Sequence, residues 1–198
     1  MDPLAIGLAV AAVVAGVAVV VAAKRDDDRR DHRRRLQNRL AETLPSGTET
    51  HLEHSPTVRD LVVVDYEDGE ATYVPVVRID LETTDAPGLD LLVEYVADVL
   101  ETIHPELEDE RVRHYDVQFT FGPDGLFVPS ECRRIAVPPT MAERLVADAD
   151  YRAHDLQRDL EDGDDGGADA PVVWSDCEDY DDDAAAAAAS AGGTASVP

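Results

Sequence analysis

Leu89–Phe121 reads LDLLVEYVADVLETIHPELEDERVRHYDVQFTF. Leu89, Leu92, Val93, Val96, Val99, Leu100 and Ile103 recur at spacings of three and four. On a 3.6-residue turn they line one face, which predicts a helix ending at His104-Pro105. Beyond it the period changes to two. Tyr115, Val117, Phe119 and Phe121 alternate with His114, Asp116, Gln118 and Thr120, the pattern of a half-buried strand. A one-faced helix followed by a one-faced strand calls for a sheet with helices laid against it.

The same grammar extends in both directions. Upstream, Leu61–Tyr66 is an apolar run of strand length and Asp68-Gly69 a hairpin dipeptide. Tyr73, Pro75, Val77, Ile79 and Leu81 then share one face, and Pro75, which cannot donate to a ladder, predicts an edge strand or a bulge. Downstream, Gly122-Pro123-Asp124-Gly125 is a turn and Leu126–Val137 a returning strand. Thr140 and Glu143 form a capping box, followed by a second amphipathic helix through Met141, Leu145, Ala149, Arg152, Leu156 and Leu160. The predicted fold class is α+β. Residues 60–160 form a small ββαββα two-layer domain, an antiparallel sheet with two helices on one face.

Outside that domain, Leu4–Ala23 is an uncharged run of twenty residues, about 30 Å long as a helix and so matched to a bilayer core. Lys24, Arg25, Arg29, Arg30, Arg33, Arg34, Arg35 and Arg39 follow it, whereas only Met1, Asp2 and Pro3 precede it. Short flanks rich in Lys and Arg stay in the cytoplasm. The expected layout is an extracellular 1–3, a transmembrane helix 4–23, a basic juxtamembrane helix 24–44, a linker 45–59 and a cytoplasmic domain. A cleaved signal peptide would carry its charge before a shorter apolar core. Gly7, Ala11 and Ala15, with Ala12 and Gly16, recur every four residues, so a homodimer through this helix is open. Residues 161–198, rich in Asp and Ala, read as a disordered tail. Within it Val172, Val173 and Trp174 form an apolar island, read either as a docking motif for a protein partner or as a segment packed back on the sheet.

The chain carries 43 acidic and 17 basic residues, a formal net charge of −26. Lys24 is its one lysine. Asp in excess throughout, with Arg in place of Lys, resembles the proteome signature of haloarchaea. Molar salt shortens the Debye length to about 3 Å and screens such a charge. The resemblance implies that acidity reflects the environment rather than a basic partner. It also discounts nucleic acid as a partner of the Arg-rich segment, because phosphate affinity falls steeply with salt. The lipid bilayer and another protein are the expected partners.

No pattern of residues assigns catalytic, cofactor or metal roles. His51 and His54 have H-x-x-H spacing beside Glu53, but they lie among turn-formers without a third ligand. Cys132 and Cys177 lack C-x-x-C spacing, and in a reducing cytoplasm both are expected as free thiols. Cys132 with His114 would be a nucleophile and base. Asp116, Gln118 and Glu131 could cluster across the second hairpin as a metal-dependent nuclease or hydrolase site. Against these stands a non-catalytic adaptor, scaffold or accessory subunit.

Overall fold

The computed structural model describes residues 27–44, 54–67, 70–81, 87–122, 131–163 and 170–180. The apolar run 4–23, His51, Glu53 and residues 181–198 lie outside them. No helix among the described residues is long and apolar enough to cross a membrane. The chain divides into two compact units, Met1–Arg35 and Leu36–Pro198. In the first, residues 27–35 are helical and carry exposed ion pairs one turn apart, Arg30–Asp27 and Arg34–Asp31, each worth a few tenths of a kcal/mol at about the scale of surface pairs.

The second unit is α+β. Its strands are β1 (Thr57–Glu67), β2 (Glu70–Asp80), β3 (Arg111–Val112), β4 (Tyr115–Phe121), β5 (Glu131–Val137) and β6 (Val172–Asp176). They form one sheet in the order β1-β2-β4-β5-β6, with the short β3 also on β2. Four α-helices are described: α1 (27–43), α2 (Leu89–Ile103), α3 (Pro139–Ala147) and α4 (Ala153–Gly163).

The sheet is mixed, not antiparallel as expected. β1/β2, β4/β5 and β5/β6 are antiparallel, but β2 and β4 run parallel. The reason is the helix itself: α2 carries the chain back along the sheet before β4 begins, so β4 must run in the direction of β2. β2 is therefore interior, and Pro75 is accommodated without an edge. It falls between the β3 pairing at Thr72–Tyr73 and the β4 pairing that starts at Val76, where the ladder on that side is interrupted.

The predicted faces hold. Val77, Ile79, Tyr115, Val117, Phe119 and Phe121 join Leu92, Val93, Val96, Leu100 and Ile103 of α2 in the main core. Full burial of each such side chain contributes roughly 1.5–3 kcal/mol. The second amphipathic stretch is two helices rather than one. Asp148, in extended backbone, ends α3. Tyr151 turns inward, its hydroxyl on Asp159 at 3.0 Å and the Arg144 guanidinium 4.2 Å above its ring. The Asp155 carboxylate accepts the Arg152 N–H at 3.1 Å as α4 starts. The capping box is absent: Pro138 is the N-cap of α3 and no side chain caps it, the fixed φ of Pro139 serving at N1 instead.

The domain is larger than residues 60–160 at both ends. Leu36 and Leu40, expected in the juxtamembrane helix outside the domain, are 0% exposed in its core. The Gln37 side chain donates to the Pro56 carbonyl at 3.3 Å and accepts the Val58 N–H at 2.7 Å, covering the start of edge strand β1 as a neighbouring strand would. At the other end the expected disorder does not begin at residue 161. β6 pairs with β5, Ser175 opposite Arg134 and Val172 opposite Ala136. Val173 and Trp174 thus stand together opposite Ile135, a bulge, and Trp174 has φ 59°. Positive φ is rare for so bulky a residue. The indole is stacked on Phe121 at 5.8 Å and lies 6.3 Å from Phe119.

Candidate functional site

Because Tyr115, Val117, Phe119 and Phe121 face the helices, Asp116, Gln118 and Thr120 must face the other side of the sheet. Register places Val76, Asp116 and Ala136 in one row across β2, β4 and β5. The next row is Arg78, Gln118 and Arg134, and the next is Asp80, Thr120 and Cys132. Val62, Val74 and Val76 make a small apolar cluster beside them. This second face is crossed by the segment Cys177–Tyr180, which follows β6.

Cys132 and Cys177 are joined by a disulfide with their Cα atoms 5.5 Å apart. The expectation of two free thiols is thereby overturned. The pairing arises because β6 sets Cys177 beside the β5 strand, with the Cys177 N–H on the Cys132 carbonyl at 3.4 Å. Three residues further on, Tyr180 packs against the valine cluster.

Between these two anchors lies a polar network. Arg78 Nη2 donates to Gln118 Oε1 at 2.9 Å. Gln118 Nε2 reaches Asp116 Oδ2 at 3.4 Å and the Glu178 carbonyl at 3.3 Å. Arg134 Nη1 meets Asp116 Oδ2 at 3.4 Å, the Glu178 carboxylate at 2.7 Å and the Tyr180 hydroxyl at 3.1 Å. His114 Nε2 is 3.0 Å from the same hydroxyl. Asp116 is 0% exposed. Burial pushes its carboxyl above the ordinary range, against the opposing pull of Tyr180, Arg134 and Gln118. Burial and the nearby Asp116 likewise push the Tyr180 phenol up, and burial lowers Arg78. Asp116 Oδ1 and Arg78 Nε are buried without a hydrogen-bond partner. Polar groups so enclosed cost free energy unless geometry repays it.

The residues singled out for catalysis separate. Asp116 and Gln118 share the second face, but Glu131 pairs with Phe121 and so lies on the opposite side, bonded to Arg133 at 2.6 Å. Cys132 pairs with Thr120, six residues along the chain from His114, which precedes β4, a separation of about 20 Å. Its sulfur is also consumed in the disulfide. His54 is exposed. Among the described residues no group of three His, Cys, Asp or Glu side chains could hold a metal. Val172, Val173 and Trp174 belong to the sheet and core rather than to a free docking motif. A separate cavity of about 350 Å³ lies among Arg39 and Thr43 of α1, Leu44 just after it, and Asp98, Glu101, Thr102, Pro105 and Glu106. Burial, then Glu101 and Glu94, push the Asp98 carboxyl up there.

The sequence does not single out Arg78, Arg134 or Tyr180. The two arginines had one signal, a shared place on the polar face of paired strands; Tyr180 had none. Comparison with known protein families, with curated proteins and with solved structures finds no match to this chain.

Proposed function

We propose that the chain is a single-pass, membrane-anchored protein of a halophilic cell. It presents its α+β domain on the cytoplasmic side as a non-catalytic adaptor, scaffold or accessory subunit. One observation carries the non-catalytic part: the second-hairpin residues an enzyme would need are divided between the two faces of β4–β5, and those on the second face are held by the Cys177–Tyr180 segment. The competing hydrolase or nuclease would have to bring Glu131 through the sheet. Anchoring and orientation rest on the apolar Leu4–Ala23 and the basic residues behind it.

The disulfide favours a second reading of orientation. Such bonds persist mainly in oxidising compartments, so Cys132–Cys177 supports a domain outside the cell, against the arginine collar. Anchoring itself is tested by fractionation. The full chain should sediment with membranes and leave them only in detergent. The variant Val13→Asp/Val19→Asp should be released by salt washing alone. A wild-type chain recovered in the soluble fraction would remove the anchor from the account.

A further inference from the structure

We propose that the second face of the sheet is a recognition surface for an acidic, tyrosine-bearing peptide segment of a partner protein, and that the chain's own Cys177–Tyr180 segment occupies it in cis, latched by the disulfide. The inference deepens the adaptor reading by giving the partner's chemistry.

Charge distribution is the first support. In a chain of net charge −26, Arg78 and Arg134 flank Gln118 on one small patch, around the buried Asp116. The segment seated there is Cys-Glu-Asp-Tyr, with three further aspartates after it in the sequence. Its contacts are those of a bound peptide. A carboxylate meets an arginine (Glu178 on Arg134, 2.7 Å), a backbone carbonyl takes a side-chain amide (Gln118 to Glu178, 3.3 Å), and an aromatic ring fills an apolar seat on Val62, Val74 and Val76. Direct arginine–carboxylate contacts of this kind survive high salt better than long-range attraction does.

The hydroxyl of Tyr180 explains why tyrosine is required. It lies within hydrogen-bonding distance of Arg134 and His114 and beside the Asp116 carboxylate. A phenylalanine in the same seat would leave Asp116 buried with one interaction fewer, a penalty that polar sites impose strongly. The latch follows from connectivity. Held by Cys132–Cys177, the cis segment competes at a high effective concentration. Once the disulfide is reduced to two thiols by a dithiol reductant, the segment keeps only its side-chain contacts, and a partner can displace it.

The test uses the full chain in detergent and molar KCl, with a fluorescent peptide SDSEDYDDD that copies residues 175–183 with Ser for Cys177. Peptide anisotropy is read against oxidised wild type and against the triple variant Cys177→Ser/Glu178→Ala/Tyr180→Ser. The triple variant should bind and oxidised wild type should not. Adding Arg134→Ala should weaken binding about tenfold or more, and a peptide with Phe for Tyr should lose a similar amount. A triple variant with wild-type Trp174 emission that fails to bind would overturn the proposal. So would binding indifferent to Arg134→Ala, or equal binding by oxidised wild type. Should the triple variant not fold, Glu178→Ala/Tyr180→Ala under dithiothreitol is judged by the same criteria. Reduced wild-type chains that form dimers abolished by Tyr180→Ser would assign the face to a second copy and overturn the partner reading. None of these outcomes depends on membrane attachment, so their failure leaves the fractionation result standing.

Discussion

Replacing Cys132 and Cys177 together by serine removes a cross-link that spans 45 residues. In the chain-entropy account, closing a loop of that length in the unfolded state contributes about 4 kcal/mol, within the 2–5 kcal/mol seen on removing native disulfides. The native contacts of the segment should outlast the change in part. Gln118, Arg134 and the valine seat of Tyr180 remain in place. For a domain of this size each kcal/mol corresponds to about 2–4 °C, so the melting temperature should drop by roughly 8–16 °C. The assay is thermal unfolding by circular dichroism in molar KCl, run on oxidised wild type, on wild type with dithiothreitol and on the double variant. The last two should coincide, well below the first. Thiol titration of unfolded, unreduced protein should find no free sulfhydryl. Two reactive thiols there, or three superimposable melts, would refute the reasoning and detach Cys177–Tyr180 from the sheet.

Three further outcomes are expected. Trp174→Ala should lower stability by about 2 kcal/mol, less than a fully buried aromatic would, and wild-type Trp174 emission should be blue-shifted; Trp174→Gly should cost about 1 kcal/mol less than Ala because it relieves the positive φ. Circular dichroism should show structure lost as salt is withdrawn, since unscreened repulsion returns across a −26 chain; full cooperative folding in dilute buffer would count against the halophilic reading. Burial holds the His104 imidazole, bonded to Tyr115 at 2.7 Å, below its ordinary value despite Glu143 and Glu108. The unfolded chain therefore takes up that proton first. The associated stability is present above about pH 6.5 and is lost as pH falls toward the folded value; His104→Gln should flatten the melting temperature over that window.

Much of the fold was legible because two elements have unambiguous periods. Leu89–Ile103 keeps helical spacing over four turns, and Tyr115–Phe121 alternates without a break. The parallel pairing of β2 with β4 was implicit in that same helix, since a crossover fixes direction. β6 was hidden for physical reasons. Five residues give too little alternation, the bulge at Val173-Trp174 puts two neighbours on one face, and the flanking aspartates make the window read as solvated chain. The disulfide was hidden with it, because nothing but the β5–β6 register brings Cys177 to Cys132. Arg78 and Arg134 are not legible because alternation identifies the apolar face and says nothing of what covers the other. In the second unit that other face is covered, by a segment whose composition argued for disorder.

Orientation decides whether a cytoplasmic adaptor is the right description, and one labelling experiment bears on it most directly. A single cysteine is placed at Ser196 in a Cys132→Ser/Cys177→Ser background, and intact cells are treated with a membrane-impermeant thiol reagent. The account predicts no labelling in intact cells and complete labelling after lysis, as the arginine collar behind Ala23 requires. Labelling of intact cells would contradict it, placing the domain outside.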